Sequence, residues 1–172
     1  MSSIFCILGP SGVGKTSLAY AIQKAINAKV LQSYTDRKPR FEGEEGHTFV
    51  TPGEYDKLTG IVAETLFDDH RYCATAQQID ENDVYVVDIK GICTLRQRYK
   101  GLKKIVVLFL EAPASVCIER MRAEGRPESF ISERAAHDIL AFKGAKEMAS
   151  FVLDASKSKE DVLAQTLSII NL

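Results

Sequence analysis

Gly9-Pro10-Ser11-Gly12-Val13-Gly14-Lys15-Thr16 is the stretch on which the reading of this chain turns. It fits G-x-x-x-x-G-K-[ST], and every fixed position has a physical reason. Glycines let the backbone wrap a polyphosphate with successive N–H groups pointing inward. A helix starting at Lys15 adds its positive dipole end. Lys15 reaches the β- and γ-phosphates, and the Thr16 hydroxyl holds Mg²⁺. Four fixed positions arise by accident in roughly 0.6% of chains this long. Gly9, Ser11, Gly12, Val13, Gly14, Lys15 and Thr16 are therefore candidate nucleotide-binding residues, and Lys15 is also a catalytic candidate. The donor is ATP or GTP. The N-K-x-D tetrapeptide of a guanine-reading GTPase does not occur.

The flanks support this reading. Residues 3–8 form a short apolar, strand-like run before the glycines. After them, residues 16–27 put Leu18, Ala19, Ile22, Ala25 and Ile26 on one helical face, with Asn27 suited to the stop. Residues 29–32, 84–88, 105–110 and 151–153 read as further short strands. Two of them, VYVVD and IVVLFL, lack polar alternation and so are buried on both faces. Pro113 opens a helix with Val116, Cys117, Ile118 and Met121 inside. Residues 131–149 form another helical stretch, and Ser158 caps a last helix. This alternation predicts an α/β fold, a five-stranded parallel sheet covered by helices on both sides.

Residues 33–82 break the rhythm. They are rich in turn signals (Lys38-Pro39, Glu42-Gly43, Glu45-Gly46, Pro52-Gly53), with β-prone pieces at 48–51 and 61–67. That composition predicts a small inserted antiparallel subdomain. Within it, Arg37 and Arg40 lie three apart in a loop stiffened by Pro39, where two guanidinium forks can clamp a monophosphate. A second irregular patch, residues 123–130, holds Gly125, Arg126 and Pro127.

Composition narrows the rest. The 172 residues are 45% hydrophobic and 26% charged with a formal net charge of −1, which argues against disorder and against a dedicated nucleic-acid binder. No stretch approaches the ~20 apolar residues of a membrane span. Met1-Ser2-Ser3 carries no basic side chain, and Cys6, Cys73, Cys93 and Cys117 form no C-x-x-C pair, so a cytoplasmic, reduced protein is expected. The near-zero charge conceals a division. Arginines gather at 37/40 and 120/126/134, while acids crowd 42–45, 68–69 and 80–83.

Ser33-Tyr34-Thr35-Asp36-Arg37-Lys38-Pro39-Arg40 resembles the S-x-T-T-R-x-P-R signature of guanylate kinases, and GPSGVGKT is similar to their usual P-loop. Gly46-His47-Thr48-Phe49 resembles G-x-D-Y-x-F, Glu64 precedes Tyr72 as a family Glu precedes Y-G-T, and Val86-Val87-Asp88-Ile89 resembles L-D-I-D. Arg120-Met121 followed by Ile131-Ser132-Glu133-Arg134 resembles the lid pattern. The resemblance covers nearly the whole chain. It implies a P-loop NTPase three-layer α/β/α core at 1–32 and 83–172, a nucleoside-monophosphate-binding insertion at 33–82 and a short lid at about 122–133. It also implies Mg²⁺-dependent transfer of the ATP γ-phosphoryl group to GMP, and to dGMP, giving GDP and ADP.

The resemblance further implies roles for particular residues. Ser33, Arg37, Arg40, His47, Glu64, Tyr72 and Asp88 bind GMP, with Glu64 accepting from the guanine N1–H and N2–H₂ groups. Asp88 serves either the base or, through water, Mg²⁺ beside Thr16. Arg134, Arg120 and Arg126 act as catalytic lid arginines, with Arg122 competing for the third place. The expected partners are the nucleotides ATP and GMP, without nucleic acid or membrane, in a monomer or homodimer. Departures from the pattern bear on the acceptor. His47 stands where the family has a phosphate-contacting Tyr, and Cys73-Ala74 replaces Gly-Thr. Two alternatives follow: a kinase of this fold with another nucleotide or a sugar phosphate as acceptor, or a non-catalytic binding module.

Overall fold

The computed structural model describes residues 2–171. Strand β1 (Ser3–Leu8) is buried from Ile4 onward on both faces, as its lack of alternation requires. β7 (Lys104–Glu111) is likewise buried along Val106–Leu110. With β6 (Val84–Val86) and β8 (Phe151–Asp154) they make a four-stranded sheet in the order β6-β1-β7-β8. β7 and β8 run parallel, from Leu108 opposite Phe151 to Glu111 opposite Asp154. The chain thus has an α/β fold with a parallel sheet.

The fifth strand expected at residues 29–32 is reduced to one parallel bridge, Val30 opposite Val84. The Asp83 carboxylate takes the Lys29 N–H, and Lys29 O accepts from both Asp83 and Val84 N–H, so the ladder is pinned at its start and does not extend. The expected strand at 84–88 also ends early. Asp88 leaves it to cap a helix.

The described chain divides into two compact units. The first comprises residues 2–6 and 28–105. It carries β2 (Ser33–Thr35), β3 (His47–Phe49), α2 (Pro52–Tyr55), β4 (Ile61–Phe67), β5 (His70–Thr75), α3 (Ala76–Glu81) and α4 (Ile89–Arg98). Its own four-stranded sheet has the order β3-β2-β5-β4. β4 and β5 form a hairpin whose two-residue turn, Asp68-Asp69, has both residues at positive φ (51° and 57°), as a twist-matched turn needs. This sheet is mixed, not antiparallel as expected, because β2 and β3 run parallel. The eleven-residue connection from 36 to 46 is long enough to carry the chain back before the second strand starts.

The second unit comprises residues 7–27 and 106–171. α1 (Lys15–Ile26) begins after left-handed Gly14 and buries Leu18, Ala19 and Ile22; Asn27, also left-handed (φ 54°), ends it. α5 (Ala114–Ala123) starts after Pro113, and α6 (Glu128–Ala141) packs on it. The irregular stretch between them is only residues 124–127, with Gly125 at φ 74°. The single helix expected over 131–149 is two, because Gly144 (φ 80°) separates α6 from α7 (Ala145–Met148). α8 (Lys159–Ile170) starts at Ser158, whose hydroxyl accepts the Asp161 N–H, and packs against α1 and β8. Among the described residues no helix is long and apolar enough to cross a membrane.

Candidate active site

The glycine loop joins β1 to α1 and is held tightly. A Cβ on Gly9 would lie 2.7 Å from the Leu110 carbonyl oxygen; one on Gly12 would lie 2.5 Å from the Cys117 carbonyl oxygen. Gly12 is also at φ 74°, where a side chain is strained. Lys15 Nζ folds back across the loop, donating to Gly9 O at 2.6 Å and Pro10 O at 2.9 Å. Burial pulls its ammonium down to about 8, with Asp138 opposing the shift. Thr16 is exposed in the first turn of α1.

Ser11 is where α6 meets this loop. Its N–H donates to Asp138 Oδ2 at 2.6 Å, and its hydroxyl accepts from Arg134 Nε at 3.0 Å. Asp138 is buried and lies 4.0 Å from Arg134 Nη2. Sequence reasoning missed Asp138. Its signal was the i,i+4 spacing from Arg134, one face of a helix.

The other expected lid arginines are placed differently. Arg120 spends both ends of its fork on backbone carbonyls, Val13 O at 3.1 Å and Ala155 O at 2.9 Å, so it staples the glycine loop to the turn after β8. Arg126 pairs with Glu124 at 2.8 Å and lies over the Phe130 ring. Arg122 pairs with Glu128. The structure thus brings Lys15 and Arg134 to the loop, the first across the Gly9 and Pro10 carbonyls and the second at the Ser11 hydroxyl, and uses Arg120 as a tether. A cavity of about 310 Å³ opens beside the loop, lined by Gly12, Gly14, Leu18, Arg120, Lys157 and Val162 among others.

The first unit gathers a second cationic cluster. Arg37 donates to both carboxylate oxygens of Glu44, at 2.8 and 3.1 Å, and through Nε to the Tyr72 hydroxyl at 3.1 Å. The Arg40 N–H donates to Glu44 Oε2 at 2.6 Å, while its guanidinium stays 60% exposed, 3.9 Å from Oε1. Glu44, also missed from sequence, is a carboxylate seated in a fork-shaped anion site, its side chain only 8% exposed. Its Arg37 bonds hold its pKa down at about 2, against 4.5 ordinarily. A depressed carboxylate stabilises the fold above its unfolded pKa and loses that contribution as pH falls. Acid titration followed by circular dichroism should therefore show stability falling from about pH 4.5 to about pH 2, and Glu44→Gln should flatten that slope.

His47 Nδ1 lies 2.8 Å from Ser33 Oγ, and its ring is 5.3 Å from the Tyr72 ring. Burial first, then Arg37, lowers its pKa, so it is neutral at pH 7. Sheet register sorts the remaining residues by face. Thr35, Tyr72 and Thr65 are cross-strand partners on one face, and Tyr34, Cys73 and Glu64 on the other. Glu64, expected beside Ser33, Arg37 and Tyr72, thus points to the opposite side, where it pairs with Arg98 at 3.0 Å. Asp88 lies on the Tyr72 side. Its carboxylate accepts from the Thr65 hydroxyl and caps α4 through Gly91 N–H, both at 2.7 Å.

The chain is similar in structure to a guanylate kinase from Anaplasma phagocytophilum. The TM-score is 0.65 at 16% identity, over 98% of this chain and 84% of that one. It is also similar to a gluconokinase from Sinorhizobium meliloti 1021, with a TM-score of 0.56 at 19% identity, over 97% and 90% of the two chains. At these identities the likeness is one of fold. No family model and no curated protein matches the sequence.

Proposed function

We propose that the chain is an ATP-dependent phosphotransferase whose acceptor already carries a phosphate group. The observation that carries this reading is the Glu44 carboxylate held by Arg37 and the Arg40 N–H with Tyr72 alongside. It is an anion site built wholly within the first unit. In this reading the loop N–H groups and Lys15 hold the ATP phosphates, and Arg134 at Ser11 adds positive charge to the moving group. The cavity lined by Leu18 and Arg120 suits the donor base by size and apolar walls. Thr16 offers one hydroxyl, which suits Mg²⁺, an ion that completes its shell with phosphate oxygens and water. When bound it would neutralise charge on the β- and γ-phosphates.

The acceptor phosphate displaces Glu44 from the clamp. One of its oxygens attacks Pγ, the bond from Pγ to the ADP oxygen breaks with its electron pair leaving on ADP, and a diphosphate forms. GMP is the acceptor that the sequence resemblance implies, and with it the products are GDP and ADP. ADP release measured with GMP and with guanosine tests the reading. A response to guanosine as strong as to GMP would remove the phosphate clamp from the mechanism.

Lys15 adds a pH dependence. Below about pH 8 its ammonium is charged before ATP arrives, and affinity is flat. Above that, binding must take up a proton, so the ATP Kd should rise by up to about tenfold per pH unit. Calorimetry in buffers of different ionisation enthalpy should find proton uptake at pH 9 and none at pH 7.

A further inference from the structure

We propose that the acceptor is a phosphorylated polyol, a sugar or sugar-alcohol phosphate, rather than a purine nucleotide. This rests on the phosphotransfer reading and deepens it. A purine is read by groups fixed opposite its edge, and guanine needs an acceptor facing N1–H and N2–H₂. In the small sheet a shift of one residue turns a side chain to the opposite face. Glu64 is Cα partner of Cys73, and Thr65 of Tyr72, so the carboxylate that could read guanine faces away from the Arg37–Tyr72 clamp and is paired with Arg98. On the clamp face, two residues beyond Tyr72, stands Ala74, whose cross-strand partner is Ala63. Both are fully buried. Two methyl groups occupy the place next to the clamp where an edge-reading pair would be needed.

The polar groups on that face are of another kind. The Ser33 hydroxyl joins the imidazole of His47, and the Thr65 hydroxyl joins the carboxylate of Asp88. Each pair has a member that donates and accepts, and Asp88 has lone pairs beyond the two bonds it receives. Alcohol groups, which also donate and accept, are the natural partners of such short, mixed side chains. The neutral state of His47 fits, since a polyol needs no charge there. Arg37 and Arg40 would hold the phosphate end. One phosphate oxygen forms the new bond to Pγ as ADP departs with the electrons of the broken bond, and the polyol hydroxyls are left unchanged.

The test is ADP release and product ³¹P NMR with Mg-ATP and five probes: ribose 5-phosphate, glucose 6-phosphate, glycerol 3-phosphate, GMP and AMP. A kcat/KM at least ~10-fold higher for one of the first three than for GMP is expected. Asp88→Asn, which still caps α4, should lower that value at least ~10-fold without changing the ATP KM. Glu64→Gln should leave every acceptor unchanged. Preference for GMP with loss of activity in Glu64→Gln would overturn the polyol assignment and leave phosphotransfer standing. ADP release stimulated by none of the five would overturn both.

Discussion

Replacing Lys15 by alanine should lower kcat by about 10²–10³-fold while leaving the fold intact. Among the described residues the ammonium's hydrogen bonds go to the Gly9 and Pro10 carbonyls, and the buried Asp138 carboxylate that it also feels keeps the Ser11 N–H and Arg134, so the Tm should hardly move. In the proposed reaction the ammonium's work falls on the transferring phosphoryl group, where charge develops and a preorganised cation costs no reorganisation. Lys15→Arg should not rescue activity, because the loop carbonyls at 2.6 and 2.9 Å are spaced for a compact ammonium. The loop has no slack to adapt, with the Gly12 Cα packed against Cys117 and Met121 of α5. Single-turnover kinetics at saturating ATP measures this directly. A kcat within threefold of the parent would remove Lys15 from catalysis.

Arg37→Met should cost both acceptor affinity and stability. It removes the fork from the clamp and leaves the Glu44 carboxylate, 8% exposed, with only the Arg40 N–H and distant guanidinium for partners. Breaking such a pair from one side costs about 3 kcal/mol, mostly the penalty of the stranded charge. The acceptor KM should rise about 100-fold. The double variant Arg37→Met/Glu44→Leu separates the two effects. It should regain most of the stability in urea denaturation and none of the acceptor affinity. Recovery of both would mean that the pair is only a structural brace.

Much of this was legible in the sequence because single residues with strong local preferences set the elements. Gly14 and Asn27 bracket α1, Pro113 starts α5, and Ser158 caps α8. Unbroken apolar runs at 4–8 and 105–110 give the buried strands. α4 was not legible. Its sequence IKGICTLRQR carries Gly91 and Thr94, poor helix formers, and it forms because Asp88 caps it and its Thr94 hydroxyl bonds Glu64 on β4. The fifth strand failed for the reverse reason. Residues 29–32 have strand-like composition, but only Val30 found a partner.

Of the candidate site, the glycine loop and the Arg37/Arg40 pair stand out in the sequence, since their spacing states a geometry. Glu44 and Asp138 were not, because each gains its meaning from a partner: Arg37 seven residues away, and Ser11 on the far side of the sequence. Glu64 was misplaced by one residue. The two-residue Asp68-Asp69 turn pairs Phe67 with His70, and the unbroken register back from it puts Thr65, not Glu64, opposite Tyr72.

In the proposed reaction a phosphate on the acceptor receives the γ-phosphoryl group of ATP. Incubation with Mg-ATP and each phosphorylated acceptor, followed by ³¹P NMR of the products, decides whether it does. The expected result is a new pair of coupled diphosphate resonances appearing with ADP, absent with the dephosphorylated counterpart and lost in Lys15→Ala. ADP accompanied only by inorganic phosphate, whatever the acceptor, would contradict it.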